Sequence, residues 1–226
     1  MQHRDFIDKP DARRRYWARS FVGWPKLAAA RPNEGHRALA ALEHAGAIAG
    51  VITQNVDGLH SAAGSRNVVE LHGALARVRC LECGHLSARK DLQARLADAN
   101  PDWRGADSVV APDGDVELAD ELVTSFRVVA CTCNGVLMPD VVFFGGSVPR
   151  ATLDAAWELF DRAELLLVIG SSLAVFSGYR FVRRAAERAI PVAIINHGPT
   201  RGDAHACIRF DERAGIALPQ LAHALM

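Results

Sequence analysis

Short apolar runs that stop at small polar residues recur along this chain, and they mark its strands. The run AIAGVIT is too short for a helix and breaks at Gln54, Asn55 and Asp57, so it predicts a buried strand. A helical turn through Leu59 and His60 follows. NVVEL then predicts a second strand, delivering His72 and Gly73 at its end. Further on, ELLLVIG stops at Ser171 and Ser172, PVAIIN stops at Asn196, and HACIRF predicts a last strand. Elsewhere the apolar spacing is helical. Trp17, Phe21 and Trp24 share one face of a helix over residues 13–24, which Pro25 is predicted to end. Asn33 caps a second helix with Leu39 and Leu42 facing inward and Gly46 closing it. GYRFVRRAAERA predicts another helix, and LPQLAHALM closes the chain with one more. Alternating strands and helices predict an α/β fold with an open parallel sheet. Such sheets take ligands outside the carboxyl ends of their strands, so the recurrent polar termini mark a floor for chemistry.

From residue 79 to 138 the pattern changes. Apolar runs disappear, Cys80-x-x-Cys83 and Cys131-x-Cys133 bracket the segment, and between them lie a helix (KDLQARLADA) and a turn (APDGDVEL). This predicts a small inserted module whose apolar surface is too small to hold it, with one structural zinc ion on the four thiolates supplying the missing stability. The α/β domain then comprises residues 1–78 and 139–226. Between module and next strand, MPDVVFFGG is extended and apolar.

Composition narrows the classes. At 226 residues the chain suits one sizeable domain carrying such a module. Lys plus Arg equals Asp plus Glu, 26 each, which gives no overall field for nucleic acid or an anionic membrane. Four arginines and four aromatics in residues 13–24 could stack on single-stranded nucleic acid, but one apolar helix face with arginines on the solvated side accounts for them better. The 47 residues between the cysteine pairs exceed the span of a compact zinc ribbon, which further disfavours a zinc-dependent nucleic-acid binder. His36 and His44 read as surface or satisfied polar groups. No apolar stretch has signal-peptide or membrane-spanning length, and the paired cysteines suit a reduced compartment, so a cytoplasmic protein is expected.

With TQNVDGLH, ELHG, the cysteine pairs, PDVVFFG, VIGSSL and INHGPT in this order, the chain resembles the sirtuins, the NAD-dependent protein-lysine deacylases. RRRYWARSFVGWP and APDGDV resemble the class II, sirtuin-four-like branch. The resemblance implies a Rossmann-like open parallel sheet with an inserted zinc module. Gln54, Asn55, Val56 and Asp57 would lie around the nicotinamide and its ribose. Gly170, Ser171 and Ser172 would contact phosphate and ribose, Asn196, His197 and Gly198 the adenosine ribose, and Cys207 a position near the adenine. His72 would be the catalytic base, a role suited to imidazole because its ordinary pKa lies near neutrality. Val142, Phe143, Phe144 and Gly145 would receive the acyl-lysine peptide by strand addition. NAD would be the co-substrate and proteins carrying acyl-lysine the partners, without nucleic acid or membrane.

Three departures accompany the resemblance. The Gly-rich loop and first strand with which sirtuins begin would lie before Met1; this reads either as a start set at an internal methionine or as a real truncation. On either reading, two unpaired strand edges and weak activity of this chain alone are expected. Cys131-x-Cys133 is one residue tighter than the usual pair, and Gly146 replaces an acidic residue. Two other functions stay open at this point, protein ADP-ribosylation and a catalytically inactive module that binds proteins. The acyl group, the target proteins and the oligomeric state are not legible.

Overall fold

The computed structural model describes residues 1–103, 118 and 120–226, so that the expected turn at 111–118 lies outside the described residues apart from Leu118. In order, the elements are α1 (His3–Asp8), α2 (Pro10–Ala29), α3 (Glu34–His44), β1 (Val51–Thr53), α4 (Leu59–Ala62), β2 (Val68–Glu70), β3 (Gly73–Cys80), β4 (Leu86–Ala88) and α5 (Arg89–Ala99). They continue with α6 (Asp120–Ser125), β5 (Leu137–Val141), α7 (Arg150–Phe160), β6 (Leu166–Ile169), α8 (Phe176–Glu187), β7 (Val192–Ile195), β8 (Ile208–Phe210) and α9 (Ala214–Leu225). Two compact units result. Met1–Ala30, Asn55–Gly58 and His72–Ser147 form the first; Arg31–Gln54, Leu59–Leu71 and Val148–Met226 form the second. Among the described residues no helix is long and apolar enough to cross a membrane.

The first unit is built on an antiparallel sheet in the order β4-β3-β5. Its core joins Val78, Leu92, Leu96, Trp103, Val123, Phe126 and Leu137 to Phe6, Trp17 and Phe21 of α1 and α2. The module therefore does not rely on metal alone. The N-terminal helices supply the apolar surface that residues 79–138 lack, and each fully buried side chain such as Phe6 contributes about 1.5–3 kcal/mol. Trp17 and Phe21 are thus core residues, as the helix-face reading expected. Arg89, at the start of α5, is also buried: its guanidinium lies 5.5 Å from the Trp17 ring and 4.9 Å from the Trp24 ring, and it donates to the carbonyl and hydroxyl of Ser20. Burial draws its pKa down to about 10.

Pro25 does not end its helix, which continues to Ala29. A proline inside a helix leaves the carbonyl four residues earlier without its usual donor. Here that carbonyl belongs to Phe21, and the side-chain amide of Gln93 on α5 donates to it at 2.9 Å. A tertiary contact thus replaces the missing backbone bond.

The second unit holds two parallel sheets, β1-β2 and β6-β7-β8. One apolar cluster serves both, combining Ile52 and Val69 with Val168, Val192 and Ile194 under Phe160, Phe181 and Val182 of α7 and α8. A second cluster packs α3 on α9 through Leu39, Leu42 and Leu218. The expected cap is present, with Asn33 accepting from the His36 backbone, and Gly46 adopts φ +75° just beyond the helix end. The strand expected over AIAGVIT is shorter, since only Val51–Thr53 pairs with β2. Among the described residues the strand ladders pair β1 with β2, and β6 with β7.

Replacing Gln93 with Leu should destabilise the protein by about 1–2 kcal/mol by leaving the buried Phe21 carbonyl without a donor. Pro25→Ala in that background should recover most of the loss, because the new backbone N–H reaches the same carbonyl. Denaturant unfolding of the two single variants and the double variant checks this; simple additivity would refute the substitution of one bond for the other.

Candidate functional site

In the first unit the ladder between β3 and β5 sets the geometry. Gly73 faces Val141 in register, and Cys80 faces Leu137. At the Gly73 end, the His72 carbonyl accepts the Val142 N–H at 2.9 Å, and the Val56 carbonyl accepts the Leu75 N–H at 2.9 Å. The structure therefore sets the loop of Asn55, Val56 and Asp57 beside β3 through Val56, and His72 beside Val142. Gly73 is essential to this approach: its φ is +77°, and a Cβ there would lie 2.0 Å from the Asp140 carbonyl oxygen. Asp140 is itself fixed. Burial pushes its carboxyl up, but hydrogen bonds from Arg77 and Arg79 outweigh that and hold it below its ordinary value.

Beyond Val142 the chain alternates. Phe143 is buried against Phe6 and Tyr16, while Phe144 is 66% exposed. The Phe144 carbonyl accepts the His3 N–H at 2.8 Å, so the N-terminal residues lie along this segment, a contact the sequence did not reveal. Gly145 has φ +78°, and the Gly146 N–H donates to the Phe143 carbonyl at 2.9 Å.

At the opposite end of the ladder the four expected cysteines meet. All four Sγ atoms lie within 4.8 Å of one another, with Cys80 and Cys133 3.5 Å apart and Cys83 and Cys131 3.8 Å apart. Tetrahedral zinc with Zn–S of about 2.3 Å needs sulfurs about 3.8 Å apart, so the donor set fits that ion. The tight Cys131-x-Cys133 spacing is absorbed by a turn in which the Asn134 N–H donates to the Cys131 carbonyl at 2.9 Å and Asn134 takes φ +64°. Asparagine tolerates that conformation better than most residues. The Cys133 backbone N–H draws the Cys131 thiol down, while hydrogen bonds with the neighbouring thiols push Cys133 up, so the clustered sulfurs share their protons unequally.

The second unit holds the polar strand ends. Gln54, at the end of β1, accepts from the Ser171 hydroxyl at 3.3 Å and donates to Ser177 at 3.2 Å, tying the ends of β1 and β6 to α8. Gly178 of α8 permits this, since a Cβ there would lie 2.6 Å from the Gln54 Oε1. After Gly170 and Ser171, Leu173 is held at φ +57°, its N–H donating to the Ser171 hydroxyl at 3.2 Å; a branched side chain in this region marks local strain. Arg201 donates its N–H to the Ser172 carbonyl at 2.9 Å.

Asn196 is buried at the end of β7, and its amide donates to the carbonyls of His197 and Gly198 at 3.2 and 2.9 Å. Cys207 is not part of this group. It lies beside Val192, where β7 begins, with its N–H and Sγ both directed at the Val192 carbonyl. A strand's length along β7 separates it from Asn196. One residue of the last part of the chain that approaches the end of β6 is Ala214, in the first turn of α9, 4.0 Å from where a Cβ on Gly170 would lie. The sequence reading missed Ala214 and Arg201, which lie outside the motifs, and Leu173, which closes VIGSSL, because their side chains carry no catalytic or ligating signal in that pattern.

Gly73→Ala should lower stability by at least about 2 kcal/mol, through positive φ and the clash with Asp140, and should abolish whatever catalysis His72 supports; denaturant unfolding and product formation measure the two effects. Metal analysis should find about one zinc per chain. Chelation should speed amide hydrogen exchange around Cys80–Cys83 and Cys131–Cys133 while β6 and β7 keep their protection. Unchanged exchange at the cysteine turns after chelation would count against a structural metal.

Comparison with known proteins agrees with this arrangement. Residues 1–177 match the Sir2 family. The chain is 54% identical over 226 residues to NAD-dependent protein deacetylase 1 of Streptomyces coelicolor, covering all of this chain and 76% of that protein. It is 48% identical over 220 residues to the human mitochondrial NAD-dependent protein lipoamidase sirtuin-4, covering 97% of this chain and 70% of that one. Among solved structures, a Sir2 bound to a p53 peptide and NAD+ superposes with a TM-score of 0.74 at 28% identity, over all of this chain and 80% of that one. A Sir2Tm bound to a propionylated peptide superposes with the same TM-score and identity, over 81% of its length. Matched along most of its length by the family and by relatives of this closeness, the chain belongs to the Sir2 family, the sirtuins.

Proposed function

We propose that this protein is an NAD-dependent protein-lysine deacylase. The observation that carries the reading is the bond from the Val142 N–H to the His72 carbonyl at 2.9 Å, which fixes the imidazole-bearing residue at the start of the segment that would receive peptide. NAD, when bound, supplies ADP-ribose as the acyl acceptor, with nicotinamide as the leaving group. Gln54, Asn55, Val56 and Asp57 would bind and orient the nicotinamide end, Gly170, Ser171 and Ser172 the phosphates and ribose, and Asn196, His197 and Gly198 the adenosine ribose. His72, half-buried, would accept a ribose hydroxyl proton as the acyl group moves, a role for which imidazole is chemically suited.

Val142, Phe143, Phe144 and Gly145 would pair with the peptide main chain. Since the Phe144 carbonyl is already taken by His3, pairing would use the remaining N–H and C=O groups of the segment. The products would be free lysine, nicotinamide and acyl-ADP-ribose. One zinc ion on Cys80, Cys83, Cys131 and Cys133 would stabilise the first unit without joining the chemistry. Four thiols kept as metal ligands favour a reduced compartment, and we place the protein in the cytoplasm.

Incubation with NAD and an acetylated peptide should yield acetyl-ADP-ribose, followed by mass spectrometry. His72→Ala should lower its formation at least about 100-fold while zinc content and unfolding midpoint stay unchanged. Label appearing on protein in place of acetyl-ADP-ribose would instead establish ADP-ribosyl transfer.

A further inference from the structure

The loop after β7 is held by charged side chains that no motif of the chain accounts for. Asp211, which follows β8, accepts the Gly198 N–H at 3.0 Å and the His197 Nδ1–H at 3.1 Å. Arg209 donates to the Gly198 carbonyl and, at 3.3 Å, to Asp203, and lies 3.6 Å from the second Asp211 oxygen. Asp203 in turn accepts the Thr200 N–H at 3.1 Å and its hydroxyl at 2.6 Å. Both backbone groups of Gly198 are therefore engaged by side chains of β8 and the residue after it, while Asn196 engages the loop from inside. The Gly198 N–H foremost holds the Asp211 carboxyl below its ordinary pKa, so it is ionised at neutral pH.

We propose that Asp211 and Arg209 are positioning residues that clamp the 196–198 loop and thereby set the affinity of the second unit for an ADP-ribose moiety. The proposal rests on the nucleotide-binding reading above and adds two residues to it. A carboxylate only accepts hydrogen bonds, so the imidazole Nδ1 of His197 carries the proton. In the neutral ring, Nε2 is then left as an acceptor suited to a hydroxyl of a ribose. The Asn196 amide donates to the clamped Gly198 carbonyl as well as to the His197 carbonyl, which favours one orientation. These are exposed ion pairs, with 29% of the Arg209 side chain and 55% of the Asp211 side chain accessible, and such pairs add little to global stability. Their effect is local, on one loop.

The test compares the unmutated chain with Asp211→Ala and Asp211→Asn, using ADP-ribose as the calorimetric probe and amide exchange at Gly198 as a ligand-free readout of the clamp. Asp211→Ala should raise the Kd for ADP-ribose about tenfold and speed exchange at Gly198, and Asp211→Asn, which keeps an acceptor oxygen, should recover most of both. The thermal midpoint should stay within about 2 °C in all three. Equal affinities, an asparagine variant as impaired as the alanine variant, or a midpoint that falls together with affinity would each overturn the proposal. If the unmutated chain binds no ADP-ribose, the nucleotide reading fails and takes the proposal with it. Faster Gly198 exchange in Asp211→Ala alone would then show that the clamp exists and that the loss lies in that reading.

Discussion

The close approach of Gly73 to the Asp140 carbonyl is the constraint on which the first unit turns. It lets β3 meet β5 at Val141, across a register shift from the run in which Val78, Arg79 and Cys80 face Pro139, Met138 and Leu137, and candidate chemistry lies at both ends. One end carries His72, the Val142 N–H and the loop of Asn55, Val56 and Asp57; the other carries Cys80 and, one turn before β5, Cys131 and Cys133. A metal bound by two cysteines on each side cross-links the strands at one end, and the glycine fixes them at the other. The register shifts between Gly73 and Val78, so the two ends of the ladder are fixed separately, one by the glycine's close approach and the other by the cysteines.

The second unit meets a different demand, since parallel strands that end in Gln54, Ser171 and Asn196 leave polar side chains at the edge of an apolar core. Each is engaged locally: Gln54 by two hydroxyls, Ser171 by Gln54 and the Leu173 N–H, Asn196 by two carbonyls of its own loop. Such bonds are modest individually, about 0.5–1.5 kcal/mol each, but leaving these groups unsatisfied would be more unfavourable than making them is favourable. The strand ends are thus held by bonds within the chain itself. Strain at Leu173 belongs to the same arrangement, because its left-handed backbone persists only where the Ser171 hydroxyl and the buried leucine side chain over-determine it.

Most elements were legible in the sequence because periodicity and polar strand ends are local signals. The Asn33 cap, the two cysteine pairs, the Ser171 and Asn196 termini and the helix over residues 89–99 needed nothing from elsewhere in the chain. What escaped depended on distant partners. Pro25 reads as a helix end until Gln93 is seen on its orphaned carbonyl, 68 positions along the chain from the proline and 72 from Phe21. The module between residues 79 and 138 reads as too small to pack until Phe6, Trp17 and Phe21 are placed in its core. Cys207, which the resemblance implied near an adenine, depends on register too: the parallel pairing of Ile208 with Ala193 sets it beside the beginning of β7.

Recognition of a peptide by this framework would have to come largely from the main chain. Phe143 is committed to the core through Phe6 and Tyr16, which leaves Phe144 as the one large side chain the segment presents outward. The Phe144 carbonyl is committed to His3, and the Val142 N–H to His72. A strand added here would find few side chains to read and a backbone already fixed in position by its neighbours, a combination that tolerates varied sequence and holds register well. With Gly146 contributing no carboxylate, no acidic group at that position would select for a basic peptide residue, so discrimination would fall on the acyl-lysine itself and on the geometry that Gly73 and the cysteines hold in place.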